Sequence, residues 1–445
     1  MTGLQQTPVS TNQDVRWAWT VLVIAFLLTA AILFLGVPKL NTFFAYRYSA
    51  HFEDGYDLIA NNLAHGNGYR WDANMGETMI REPGYPLFLA AVFKVGGYHL
   101  EAARFANWLL SIGIAIMIMR LTRLVTDDRR TALIASLLFL LYPGVIICEA
   151  RGGVEVLFIF AILVFMLALH QAVEKGSLWR YLVAGLVLGI VVQVRSTPMV
   201  FPLFLLVYLI LTANGVRARL RVALNVAILT LGMAVVMTPW TIRNYLLVHE
   251  FVPTATVQGL ALQEGQYTCQ NISSGRNYYE LHTEAGQKRV ELATEIGVQA
   301  GAQYYQVFPD ARDEWLVNNA LLQGAKAEYV RHPALYAECV ARNAFNFWFL
   351  GKTWAITRVN MLIQIPLLIL ALNGLYLLHK RNLLRKMGIM LTFVLSIMAV
   401  HMAIIAAARY SIPVITFLAI PASISVLSIW HKCWTLARGE TSLLS

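Results

Sequence analysis

WAWTVLVIAFLLTAAILFLGV, residues Trp17 to Val37, carries no charged side chain and matches the length of about 20 residues that one helix needs to cross a bilayer. It is too long for the apolar part of a signal peptide and lacks a small-residue cleavage site, so it reads as a retained first span. Further apolar stretches follow at 100–119, 131–147, 155–171, 181–194, 198–213, 222–239, 359–378, 388–407 and 411–430. The composition of the 445-residue chain agrees: 58% hydrophobic, 13% charged, with a mean hydropathy of +0.58. A soluble domain carries about 25% charge. Most of this chain is therefore solvated by something other than water. The expected fold is an all-α integral membrane protein, a bundle of about ten transmembrane helices.

The net charge of +10 does not point to nucleic acid, because the cations fall at intervals between apolar spans. Arg120, Arg123, Arg129 and Arg130 share one loop; Lys175 and Arg180 the next; Arg217, Arg219 and Arg221 a third; Lys380, Arg381, Arg385 and Lys386 a fourth. With a cytoplasmic N-terminus all of them lie inside, as cytoplasmic loops require. The opposite side holds two long segments. An N-terminal transmembrane module, 1–239, includes the first external loop, 38–99. The region 240–358 is extracytoplasmic, and 359–445 returns to the membrane. Within 240–358, "DARDEWLVNNALLQGAKAEYV" and "RHPALYAECVARNAFNFWFL" read as helices at the interface, the second with Pro333 near its start. Cys148, Cys269, Cys339 and Cys433 show no metal-ligand spacing. Cys269 and Cys339 can pair if both face outward.

The external side gathers polar residues. Glu149, Arg151, Glu155, Arg195 and Arg409 stand at membrane boundaries, where a charge is costly unless paired or wet. Five on one side predict a shared polar cavity. The short stretches 181–194 and 198–213, split by "RSTP", suggest irregular backbone lining that cavity. In the first loop Glu53, Asp54 and Asp57 lead "DGYDLIANNLAHG", whose Tyr56, Ile59, Ala60 and Leu63 share a helical face. This predicts an amphipathic helix on the membrane surface. Its leading carboxylates serve either the helix dipole or as a general base at the bilayer edge. Then come "GNGY" and "REPGYP", with Arg81, Glu82 and Tyr85 before the return to the membrane.

In this order the motifs resemble the GT-C superfamily of membrane glycosyltransferases, near the bacterial relatives of protein O-mannosyltransferases and of the aminoarabinose transferase that modifies lipid A. The resemblance rests on Asp54, "YDLIANNL", "GNGY", "PGYP", "YPGVIICEARGGVEVLF", "VRSTP", "TPWTIRNYLLVHEFVPTATVQG", "YVRHPALY" and "ARYSIPVITFLAIPAS". It implies a GT-C-like bundle and a sugar donor carried on a polyprenyl phosphate. The acceptor would be a lipid, a glycan or a protein outside a bacterial inner membrane. Asp54 would be the catalytic base of an inverting displacement, with Asp57 and Glu53 as alternatives. Arg195, Arg243, Arg409 and Tyr410 would bind the donor phosphate, through the paired donors and fixed charge of guanidinium. Arg81, Glu82, Tyr85 and Glu155 would contact substrate. No metal or other cofactor is expected. A flippase for lipid-linked sugars predicts inverted repeats and charges at mid-bilayer, and neither is present in the sequence. An O-antigen ligase or polymerase would share the carrier but not the acidic loop followed by "PGYP".

Overall fold

The computed structural model describes residues 12–36, 54–299 and 308–437, with side chains from Trp19 to Thr435. Among the described residues the secondary structure is helical throughout, without strands. The helices are α1 (Asn12–Ala31), α2 (Tyr56–Ala64), α3 (Gly84–Gly96), α4 (Leu100–Thr126), α5 (Arg129–Leu140), α6 (Pro143–Ala150), α7 (Val154–Lys175), α8 (Leu178–Val194) and α9 (Phe201–Thr212). They continue with α10 (Val216–Val248), α11 (Gln258–Asn271), α12 (Tyr278–Glu295), α13 (Ala311–Arg331), α14 (Pro333–Phe349), α15 (Trp354–Lys380), α16 (Gly388–Ala403) and α17 (Ile412–Ala437).

Each apolar stretch read from the sequence is helical, and one of them, 131–147, is divided between α5 and α6. Among the described residues seven helices are long and apolar enough to cross a membrane, and the α5–α6 pair, bent by 49°, is an eighth where it counts as one span. The bend has a local cause. Pro143 opens α6, and proline cannot continue a helix that needs its amide. α8 and α9 are short, as expected, and are separated by a 3₁₀ turn over Thr197–Val200. α3 is a further short apolar helix, "GYPLFLAAVFKVG", within the expected first external loop 38–99. At about 1.5 Å per residue, the 33 residues of α10 reach about 50 Å, well beyond a hydrocarbon core of about 30 Å. Its C-terminal turns, with Arg243, therefore stand beyond that core.

Between membrane helices apolar burial gives little drive, so close backbone approach and shape decide packing. A Cβ added to Gly185 of α8 would lie 2.0 Å from the Leu229 carbonyl oxygen of α10. One added to Gly232 of α10 would lie 2.5 Å from the Leu182 oxygen. Gly185→Val is expected to lower stability by 1 to 3 kcal/mol, on the order measured for overpacked cores; thermal unfolding in detergent checks it. Elsewhere a chain of fully buried aromatic rings ties α7, α9, α16 and α17. Phe165, Phe201, Phe393 and Phe417 meet edge to face with successive centroid distances of 5.6, 5.2 and 5.7 Å.

Helices α11 to α14 make a polar layer at one end of the bundle. Here α13 and α14 occupy the segments read as helical, while α11 and α12 have low hydropathy and gave no apolar period. Buried Glu264 of α11 receives hydrogen bonds from Arg289 (2.6 Å), Tyr278 (2.8 Å) and the His282 ring (2.8 Å), all on α12. A disulfide between Cys269 and Cys339, with Cα atoms 5.5 Å apart, fastens α11 to α14. The helix at the first external loop, α2, differs from its expected surface placement. It is covered on more than one side: Tyr56, Asp57, Ile59, Ala60 and Asn62 are all buried, because α3 and the 69–82 segment fold over it. Asn62 donates to the Arg70 and Trp71 carbonyls at 3.1 and 3.0 Å.

Candidate active site

Asp54 stands two residues before α2, held by its neighbours on both sides. Gly55 takes the left-handed backbone (φ 69°), and the Trp71 ring would lie 2.1 Å from any Cβ there. Only glycine fits such a position without strain. The Arg81 guanidinium donates to the Asp54 carbonyl oxygen, at 3.1 Å from Nη2 and 3.3 Å from Nε, and lies over the Tyr56 ring at 5.2 Å. On the other side, Arg409 Nη1 is 3.5 Å from Asp54 Oδ2. Arg409 sits in the 3₁₀ turn Ala408–Ser411 before α17, and its Nη2 donates to the Tyr410 hydroxyl at 3.4 Å.

Arg195 enters from the end of α8, 5.0 Å over the Tyr410 ring and 3.5 Å from Glu155 Oε1. Glu155 comes from the start of α7, after the tight turn Arg151–Gly153. Tyr85 is fully buried, stacks edge-on to Tyr56 at 5.3 Å and donates to the Gly152 carbonyl. Glu82 accepts from the Ser196 amide at 3.0 Å. Beside these groups lies a pocket lined by Asp54, Tyr56, Cys148, Arg151, Gly152, Gly153, Val154, Glu155 and Arg409. α6 ends at Ala150, and the 151–155 turn that follows it supplies much of the lining.

Burial would raise the carboxyl pKa of Asp54. Arg409 first, then Arg81, Arg195 and Lys352, outweigh it and hold the group at about 2. The carboxylate is therefore ionised throughout the physiological range. It is also a weak base until another anion shares those cations. The balance of fixed charge is positive, which suits an anionic ligand.

The expected residues Asp54, Arg81, Glu82, Tyr85, Glu155, Arg195, Arg409 and Tyr410 are thus brought together. Arg243 has a different set of neighbours. It donates to the Thr78 carbonyl at 2.8 Å, pairs with Glu77 at 3.4 Å and packs on the rings of Trp240 and Tyr69 at 4.6 and 5.3 Å. Those contacts fasten the 69–82 segment to α10. Asp57 is fully buried in the first turn of α2, where it accepts from the Tyr98 hydroxyl at 2.8 Å. Glu53 lies outside the described residues. Arg151, one of the five boundary charges expected to share a cavity, lines the pocket; sequence reading did not single out Lys352 or Cys148 for the site. Lys352 arrives from the α14–α15 turn, and a lone cation after an aromatic helix gives no spacing signal. Among the described residues, no three of His, Cys, Asp and Glu stand close enough to share an ion.

Residues 81–242 match the family model described as dolichyl-phosphate-mannose-protein mannosyltransferase. The match includes Arg81, Glu82, Tyr85, Glu155 and Arg195; Asp54 and Arg409 lie outside it. No curated protein matches the chain. Among solved structures, the chain is similar to ArnT from Cupriavidus metallidurans bound to undecaprenyl phosphate, with 12% identity and a TM-score of 0.39 over 98% of this chain and 82% of that one. The apo form of the same protein gives 13% identity and a TM-score of 0.37, over 93% and 77%. In its all-helical membrane build and in the segment 81–242, the chain resembles the GT-C membrane glycosyltransferases.

Proposed function

We propose that the protein transfers a sugar from a polyprenyl-phosphate carrier to a hydroxyl group of a lipid, glycan or protein acceptor outside a bacterial inner membrane. One observation carries this reading: a carboxylate set against Arg409, among further guanidinium groups, in a pocket lined by the turn between α6 and α7. The family match over 81–242 supports the reaction class. The charge asymmetry of the loops supports the outward face.

In this reading the acceptor oxygen attacks the anomeric carbon from the side opposite the phosphate. The bond from that carbon to the phosphate oxygen breaks, and its electron pair stays on the phosphate. A singly charged phosphodiester becomes a phosphomonoester with a second negative charge. Arg409, Arg195 and Arg81 stabilise that growing charge, the kind of preorganised contact that contributes most to such catalysis. The acceptor proton passes to Asp54, and the sugar inverts its configuration.

The donor also changes Asp54. The cations that hold its carboxyl at about 2 are those offered to the phosphate. Once they are shared with a second anion, the carboxyl pKa rises and Asp54 becomes a better base. Substrate binding therefore switches on the base it needs.

The test uses purified protein in nanodiscs with polyprenyl-phosphate-linked hexose and pentose donors, with nucleotide sugars in parallel. Release of the polyprenyl phosphomonoester together with a glycosylated acceptor is expected. Transfer from nucleotide sugars alone, or movement of the donor across the membrane without transfer, would overturn the reading.

A further inference from the structure

Glu314 lies on α13, more than 200 residues from the first external loop in sequence, yet its carboxylate is buried in that loop. It is 1% exposed. The Thr78 hydroxyl donates to Oε1, the Met79 amide donates to Oε2 at 2.7 Å, and the Thr256 hydroxyl reaches Oε2 at 3.4 Å. Around this clamp the backbone is tied in the same direction. The Thr256 amide donates to the Met79 carbonyl at 2.9 Å, and the Gly76 amide to the Pro309 carbonyl at 2.9 Å. Tyr69 completes the tie, donating to the Arg81 and Glu82 carbonyls at 3.0 and 3.2 Å.

Two residues beyond the clamped pair comes Arg81, whose guanidinium holds the Asp54 carbonyl. We infer that Glu314 is a positioning residue for the transfer proposed above: by fixing Thr78 and Met79 it sets where Arg81 stands, and through Arg81 where Asp54 stands.

Glu314 occupies an expensive place for a carboxylate. Burial raises its carboxyl pKa to about 7 against the pull of its hydrogen bonds to Thr78, Met79 and Thr256 and of the Arg243 charge. A hydrophobic side chain would fill the same space without that cost. What it could not do is hold an irregular segment by its amides and hydroxyls. The segment 77–82 has no helix of its own to fix it. Its geometry comes from outside, from α13 through Glu314 and from α10 through Arg243.

The inference rests on the proposed transfer, and the experiment separates the two. Three variants are compared in nanodiscs: Glu314→Gln, Arg81→Ala and the double variant. Glu338→Gln is the control, since its exposed pair with Arg342 lies elsewhere on α14. Glu314→Gln is expected to lower kcat/KM 10- to 100-fold, about the effect of a small misplacement remote from the reacting atoms. Added to Arg81→Ala, it is expected to cost nothing further, because its effect runs through Arg81. Hydrogen exchange at the Met79 and Thr256 amides is expected to speed up in Glu314→Gln and not in the control.

Multiplicative losses in the double variant, or unchanged exchange at Met79, would overturn the inference. Glu314→Asp, which keeps the charge, serves if the glutamine variant fails to fold, with the same expected pattern. If the wild type transfers no sugar from any polyprenyl-phosphate donor, the functional reading fails. The exchange measurement then decides by itself whether Glu314 holds the segment.

Discussion

Asp54→Asn is expected to abolish sugar transfer, with kcat lower by about 10²- to 10⁴-fold, the range that a positioned general base supplies. Asparagine keeps the shape and one acceptor oxygen but cannot take the acceptor proton. Binding of the carrier phosphate should persist and become tighter. Asp54 Oδ2 lies 3.5 Å from Arg409 Nη1, so carboxylate and phosphate would compete for one guanidinium. Removing the carboxylate charge ends the competition. The two measurements are turnover of a polyprenyl-phosphate sugar and the dissociation constant of undecaprenyl phosphate. Loss of both together would mean that Asp54 serves only to hold the site in shape.

The alternative acid gives the contrast. Asp57 is fully buried and accepts from the Tyr98 hydroxyl. Asp57→Asn should therefore act mainly on stability, leaving turnover per folded molecule within about threefold, since a surviving hydrogen bond contributes about 1 kcal/mol. A collapse of turnover in this variant, with Asp54→Asn active, would reverse the two assignments. Circular dichroism melting alongside the kinetics separates the effects.

The membrane helices were legible because their signal is local. A run of apolar residues is its own evidence, and each span read from the sequence is helical. The charges at the external boundary were legible for a similar reason: a cation such as Arg195 or Arg409 at the edge of an apolar run stands out by cost alone. The partners of those charges were less so. Arg243 and Arg409 look alike in sequence, each beside aromatic residues at a span end. Only the fold shows that one faces Glu77 and Trp240 and the other Asp54.

The polar layer of α11 to α14 was least legible. Glu314 and Glu264 sit in helices of low hydropathy, and each looks like an ordinary solvent-facing acid. Both are buried because distant segments supply donors: Thr78 and Met79 for the first, Arg289 and Tyr278 for the second. Such satisfaction depends on contacts across more than 200 residues in one case and on helix pairing in the other. No periodicity encodes it. The bend at Leu141–Pro143 was not legible. The stretch 131–147 reads as one unbroken apolar span, because hydropathy does not register the missing amide of Pro143 that breaks it.

Arg409→Ala should reduce kcat/KM by about 10²- to 10³-fold, the loss typical of removing one donor from a developing oxyanion. Arg409→Lys should recover little of it. An ammonium group is a point charge, whereas the planar guanidinium reaches the Asp54 carboxylate and the Tyr410 hydroxyl from two nitrogens at once. The substitution also tests the electrostatics of the base. Burial raises the Asp54 carboxyl pKa, and Arg409 is the strongest influence lowering it, so without Arg409 the value climbs from about 2 toward or past its ordinary 3.8. The sign of the stability change follows. A carboxyl whose folded pKa is depressed stabilises the fold above its unfolded value, and that stability is lost as pH falls toward the folded value. The wild type should therefore lose this contribution between about pH 4 and pH 2. In Arg409→Ala the contribution is smaller from the start, so the melting temperature should fall less between pH 7 and pH 3 than it does in the wild type. An equal fall in both proteins would show that Arg409 does not set the charge state of Asp54, and the claim that the donor phosphate activates its own base would go with it.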